Sequence, residues 1–281
     1  GGQAGDSGEI VGTADVLDTQ KFFGLNLSNV AVKKELKIGD TVKLKVSEQR
    51  AEIARHHSAT HLLHSALRSV LGTHIAQAGS SVEANRLRFD FSHPKAVTAE
   101  ELTKIENFVN GAIAESIAAK TEIMDVEDAK NSGAIALFGE KYADKVRVLS
   151  FGEVSKELCG GTHVGNLSQI GAFFITKEGG VSAGVRRIEA VCSKAALNLA
   201  KAWRGEIEEL KTELKSAEPM NAVKKLKAEI KSLKDKSRQA KDAHALAVVN
   251  VNETKLCVAV IDGGDIKTTI DEFKNENDKA A

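Results

Sequence analysis

Two couples of metal-binding side chains constrain this 281-residue chain more than anything else in it. His57 and His61 stand four apart in Arg-His-His-Ser-Ala-Thr-His-Leu-Leu-His, and Cys159 and His163 stand four apart in Cys-Gly-Gly-Thr-His. One thiolate with three imidazoles suits zinc. The couples lie about a hundred residues apart, so only a folded domain can unite them on one ion.

From Glu48 to about Leu71, Ile53, Leu62, Leu63, Leu67 and Val70 recur at helical spacing, and Gly72 marks a stop. Side chains four apart on a helix share a face, their Cβ atoms ~5 to 6 Å apart, which lets His57 and His61 reach a common ion. His64 shares the face of His61 and can stand in for His57, whereas His56 is turned about 100° away. In the second couple, Gly160 and Gly161 allow a tight turn that folds both ligands toward one point. A zinc-protease helix needs Glu directly after the first His; Ser58 occupies that place. A site with four protein ligands is closed and structural, and catalysis needs an exchangeable position; the sequence leaves both open. Thr60, nearly in line with His57, and Thr162 put hydroxyls close to the ion.

The rest of the chain reads as α+β. Residues 1–48 carry Gly-rich turns between short Val, Leu and Ile runs, ending in the alternating Thr41-Val-Lys-Leu-Lys-Val46, and predict a small antiparallel β-barrel-like subdomain. Residues 49–195 form an α/β core with a mainly antiparallel sheet. Its strands are expected at 85–92, 121–126, 146–151 and 172–176, with a capping box at Thr98-Ala-Glu-Glu101 opening a second helix and a third near 128–139. Residues 196–246 repeat Ile207, Leu210, Leu214 and then Val223, Leu226, Ile230, Leu233. The phase breaks at Pro219, which predicts an antiparallel helical hairpin. Residues 247–281 are a partial segment, with a strand at 255–261 and a helix at 265–274.

Thirty-nine basic and thirty-nine acidic residues cancel, so any hold on nucleic acid must come from local patches. Between Lys194 and His244 thirteen basic residues face eight acidic ones, a local excess of five. No apolar run approaches the ~18 residues of a membrane span. No signal peptide is legible and three cysteines cannot close a disulfide framework, which points to the cytoplasm. A start at Gly rather than Met reads as a fragment of something larger.

Five motifs occur in a telling order: Gly1-Gly2-Gln3 with Gly5-Asp6, His57 to His64, Arg86 to His93, Glu157-Leu-Cys-Gly-Gly-Thr-His-Val, and Gly184-Val-Arg-Arg-Ile-Glu-Ala190. Together they resemble the editing region of alanyl-tRNA synthetase, with parts shared by freestanding deacylases, over about residues 1–192. The hairpin and final segment are similar to the start of that synthetase's C-terminal region. The resemblance implies a zinc-dependent hydrolase that removes serine or glycine wrongly attached to tRNA(Ala), without the domain that charges tRNA. His57, His61, Cys159 and His163 match its metal ligands; Thr60 and Gln77 match positions tied to recognition of the aminoacyl group or to hydrolysis. Without the resemblance, Gln77 reads as a loop residue. Arg86, Arg88, Arg186 and Arg187 are the candidate tRNA contacts, with Asp90 able to pair with Arg86 or Arg88. Two other readings stay open: a non-catalytic tRNA-binding module that zinc merely stabilises, and a dimerisation module that uses the apolar seam of the hairpin.

Overall fold

A computed structural model describes residues 2–22, 24–136, 142–242, 247–252 and 254–258, with 267, 270, 271 and 274; side chains of 238–251 and 254–258 lie outside that description. The chain divides into two compact units, Gly1–Ala202 and Trp203–Ala281.

In the first unit, β1 (Gly8–Ile10), β2 (Ala14–Phe22), β3 (Leu25–Val32) and β4 (Leu44–Val46) form an antiparallel sheet in the order β3-β2-β1-β4. Among the described residues no pairing joins β3 to β4, so the sheet stays open where a barrel-like form was expected. An open sheet has no enclosed interior, and Leu17, Phe22, Leu25 and Leu44 are accordingly each more than half exposed.

The core follows. Helix α1 (Gln49–Leu71) ends at Gly72, whose φ of 117° no residue with a Cβ adopts readily. Strands β5 (Gln77–Val82) and β6 (Leu87–Ser92) precede helix α2 (Ala99–Ala114), which opens on the expected capping box: Thr98 accepts from the Glu101 N–H and Glu101 accepts from the Thr98 N–H. Next come β7 (Lys120–Asp125), α3 (Val126–Asn131), β8 (Lys145–Phe151) and β9 (Ser155–Leu158), then β10 (Phe173–Ser182) and β11 (Val185–Cys192). Helix α3 stops at Asn131, short of the expected span to 139; residues 137–141 lie outside the described residues.

One antiparallel sheet runs β10-β11-β6-β5 and a smaller one β7-β8-β9. Alternation along β6 buries Leu87, Phe89 and Phe91 completely against Leu62, Leu63 and Leu67 of α1, and Ile105 and Val109 of α2 join the same core. Each such side chain contributes roughly 1.5 to 3 kcal/mol by leaving water. Gln3 bridges in parallel to Val82, adding a short extra edge to β5. That contact needs Gly2, since a Cβ there would collide with the backbone and hydroxyl of Ser80.

The helices expected about Pro219 are α4 (Ser193–Glu213) and α5 (Pro219–Asp242). Pro219 takes the first helical position of α5, where its missing N–H costs no bond. Strands β12 (Ala247–Val251) and β13 (Thr254–Val258) pair antiparallel. The end of the strand expected at 255–261, and most of the helix expected at 265–274, lie outside the described residues. No described helix is long and apolar enough to cross a membrane.

Candidate metal centre

Helix α1 buries a polar face, and that face is the site. His57 and His61 come from it; Cys159 and His163 come from the loop that leaves β9. One ligand atom from each gathers within 4.8 Å of the others. Cys159 Sγ lies 3.2 Å from His163 Nε2 and 3.6 Å from His57 Nε2. A tetrahedral ion with bonds of ~2.3 Å to sulfur and ~2.0 Å to nitrogen sets S···N separations near ~3.5 Å. Donor types and spacing therefore both suit a divalent metal. His57, and not His64, completes the set, while His56 serves the fold: its Nδ1 meets the Glu52 carbonyl at 2.9 Å and its Nε2 accepts from the Cys192 N–H at 3.2 Å.

Each imidazole in the group is held from behind. His57 Nδ1 donates to Gln3 Oε1 at 2.8 Å, and the same oxygen accepts the Thr162 N–H at 2.9 Å and its hydroxyl at 3.2 Å. Ser58 Oγ lies 3.1 Å from His163 Nδ1 and accepts the Val164 N–H. Glu157 Oε2 lies 2.9 Å from His61 Nδ1, off the line of a straight hydrogen bond, and its Oε1 meets His64 Nδ1 at 3.2 Å. Outer partners of this kind fix which ring nitrogen faces the metal. Gln3 and Glu157 sit inside motifs quoted above, yet no spacing rule links either to a histidine. Arg147 clamps the loop by donating to the carbonyls of Cys159 at 2.7 Å and Gly161 at 2.9 Å.

The two loop glycines differ from expectation. Neither has a positive φ, so the turn itself does not demand them. Gly161 is needed for clearance, because a Cβ would strike the His57 ring; Gly160 has open space around it.

Electrostatics ready some of these ligands for a metal and hold one of them protonated. Burial would raise the Cys159 thiol, but hydrogen bonds from His163, His57 and His61 hold it down at about 2, as thiolate. Burial lowers His163 to about 4. Burial also opposes charge on His61, yet the Glu157 carboxylate overrides it and raises this imidazole to about 10. Glu157 is correspondingly pulled far below the ordinary carboxylate range, against its own burial.

Beside the ligands lies a cavity of about 260 Å³, lined among others by Thr60, His64, Gln77, Ser80, Phe89 and Lys145. Thr60 donates its hydroxyl to the His56 carbonyl at 2.8 Å, and its oxygen keeps lone pairs for a guest. Gln77 opens β5 instead of lying in a loop, and its amide donates to Ser80 Oγ at 3.3 Å.

The four candidate arginines all carry carboxylate partners. Arg187 forms a two-pronged pair with Asp90 at 2.7 and 2.8 Å, and Arg186 does the same with Glu178 at 2.6 and 2.7 Å. Arg88 lies 3.7 Å from Asp90, and Arg86 pairs with Glu83 at 3.1 Å while staying half exposed. Asp90 thus pairs chiefly across to β11, a cross-strand relation invisible in sequence spacing.

Comparison with known proteins gives a consistent likeness. Residues 146–189 match the family described as the threonyl and alanyl tRNA synthetase second additional domain. Over its full length the chain is 57% identical to an alanine–tRNA ligase of Campylobacter jejuni and 54% identical to that of Sulfurovum sp., covering 33% of each. It is 51% identical to the alanine–tRNA ligase of Wolinella succinogenes, covering 34%. The chain thus spans about a third of the length of these relatives, and the likeness to alanine–tRNA ligases holds along all of it.

Proposed function

We propose that this chain hydrolyses the ester joining serine or glycine to mischarged tRNA(Ala), as the editing stretch of an alanine–tRNA ligase, with zinc held by His57, His61, Cys159 and His163. The observation that carries this reading is the convergence of four ligand atoms from two distant segments beside a small cavity lined by both polar and apolar side chains. At about 260 Å³ the cavity falls below the ~300 to 1,000 Å³ typical of drug-sized sites, a scale suited to an aminoacyl group. Editing is needed because a pocket for alanine rejects glycine only by one lost methyl, and rejects an added hydroxyl poorly; ~1 to 3 kcal/mol gives only ~10 to 200-fold discrimination.

Bound zinc would supply a fixed positive charge that polarises the ester carbonyl or orients the substrate's amine. Four protein ligands leave little room for a dedicated hydroxide, which favours those roles. The Cys159 thiolate and the Glu157 carboxylate offset positive charge in the site, while Gln3, Ser58 and Glu157 hold the imidazoles. Thr60 and Gln77 present hydroxyl and amide to the aminoacyl group. Along the inner strands β6 and β11, Arg88, Arg186 and Arg187, with Arg86 just ahead of β6, meet tRNA phosphates by exchanging carboxylate partners. Arg86 does so most readily, being half exposed. The organisation proposed is a β subdomain 1–48, an editing core 49–195, a helical hairpin 196–246 and a partial segment 247–281, acting in the cytoplasm.

Replacing Cys159 with Ala tests the reading: zinc content should fall and serine release from seryl-tRNA(Ala) should drop at least tenfold. Unchanged turnover with the zinc lost would remove metal-assisted editing. Should the intact chain bind tRNA yet release no amino acid, the zinc-stabilised binding module would be the better account.

A further inference from the structure

We propose that His64 reads the serine hydroxyl, a specificity contact additional to Thr60 and Gln77; the inference rests on the editing reading above. His64 lies three residues beyond His61 on α1, is 2% exposed, and is not one of the four gathered ligands. Its Nδ1 is tied to Glu157 Oε1 at 3.2 Å, leaving Nε2 as the free end of the ring. That nitrogen is buried and has no hydrogen-bond partner among the described residues. The ring lines the cavity next to the metal ligands, its centroid 5.4 Å from that of Phe89.

On the same wall Thr60 and Gln77 each spend a donor, the Thr60 hydroxyl hydrogen on His56 and the Gln77 amide on Ser80, and keep their oxygens for a guest. Of the buried cavity-lining side-chain atoms, His61 Nδ1 also lacks an aligned hydrogen bond, but it faces Glu157 at 2.9 Å. Nε2 of His64 is the buried nitrogen of this wall that has neither a hydrogen bond nor a carboxylate partner among the described residues.

A buried polar atom without a partner is unfavourable until something answers it. A neutral ring needs a donor at Nε2 and a protonated ring needs an acceptor, and a hydroxyl can be either. The methyl of alanine and the hydrogen of glycine can be neither, so with those substrates the atom stays unanswered. Sites built around a substrate hydroxyl discriminate most strongly against analogues lacking it, for this reason. His64 thereby favours serine and spares correctly charged alanyl-tRNA.

The test uses the whole zinc-loaded chain with seryl-, glycyl- and alanyl-tRNA(Ala). His64→Leu should lower kcat/KM for seryl-tRNA by roughly tenfold or more relative to glycyl-tRNA, the scale of one buried hydrogen bond. His64→Gln, whose amide can reach the same place, should keep part of the serine preference. A serine-to-glycine ratio unchanged in both variants, or both substrates falling together, overturns the proposal. In the unmodified chain, a non-hydrolysable serylamino-adenosine should shift the His64 Nε2 resonance in nitrogen NMR and its glycyl counterpart should not; equal shifts also overturn it. If the unmodified chain releases neither serine nor glycine, the editing reading itself has failed.

Discussion

At the scale of single residues, the cluster that could hold a metal was legible and its supports were not. His57, His61, Cys159 and His163 announce themselves because helical spacing and a compact loop each give a chemically sensible pair. Gln3, Ser58 and Glu157 act across 54, 105 and 96 positions of chain, distances that no local pattern encodes. Their effect shows in how metal binding responds to pH. His61 is raised to about 10 by Glu157 in the metal-free protein, so an arriving metal must displace its proton. Cys159, held at about 2, is already ionised and adds no pH dependence near neutrality. Apparent metal affinity should therefore climb between pH 7 and 10, by up to about tenfold per unit. Folding stability moves the other way. An imidazole whose folded value is raised stabilises the metal-free fold fully below about 6.5, and that contribution is lost as pH passes through about 10. The gain in Tm on adding zinc should accordingly widen from pH 7 to 9; a constant gain across that range would contradict the His61–Glu157 coupling.

At the scale of elements, periodic segments were read well and glycine-rich ones poorly. Helix α1 carries its apolar signature despite a polar buried face, and β6 alternates cleanly, whereas β8 breaks its alternation by burying the adjacent Val148 and Leu149. Strand β5, Gln-Ala-Gly-Ser-Ser-Val, has no apolar alternation to detect and reads as loop, although pairing with β6 makes it a strand. The same holds for the glycine-bearing half of β10, which extends past the expected Thr176 to Ser182 because β11 pairs with it. The capping box of α2 was fully legible because its chemistry is local. Thr98→Ala removes the acceptor for the Glu101 N–H at 3.2 Å and should cost about 1 kcal/mol in urea unfolding. Thr98→Ser should recover nearly all of it.

For the whole molecule, architecture class was evident from the sequence, but closure and cover were not. Alternation predicts strands without saying whether the last one meets the first, and the N-terminal sheet remains open. In α4 and α5 the apolar repeat was equally plain, yet Ile207, Leu210, Leu226, Ile230 and Leu233 are each about half exposed. Charged substitutions at Leu210 and Leu226 should therefore change unfolding free energy by no more than about 0.5 kcal/mol. If the seam joins copies of the chain, the same substitutions should leave only monomer in concentration-dependent sedimentation. A stability loss of several kcal/mol would show instead that the seam is buried within one chain.

The oxygen of Gln3 makes one further demand on the molecule. Because it catches His57 and Thr162 together, the segment ahead of β1, helix α1 and the cysteine loop are tethered through a single side chain. Chelation at one end and proteolytic nicking at the other should then report on each other: stripping the ion should hasten cleavage ahead of β1, and trimming those first residues should quicken the ion's escape.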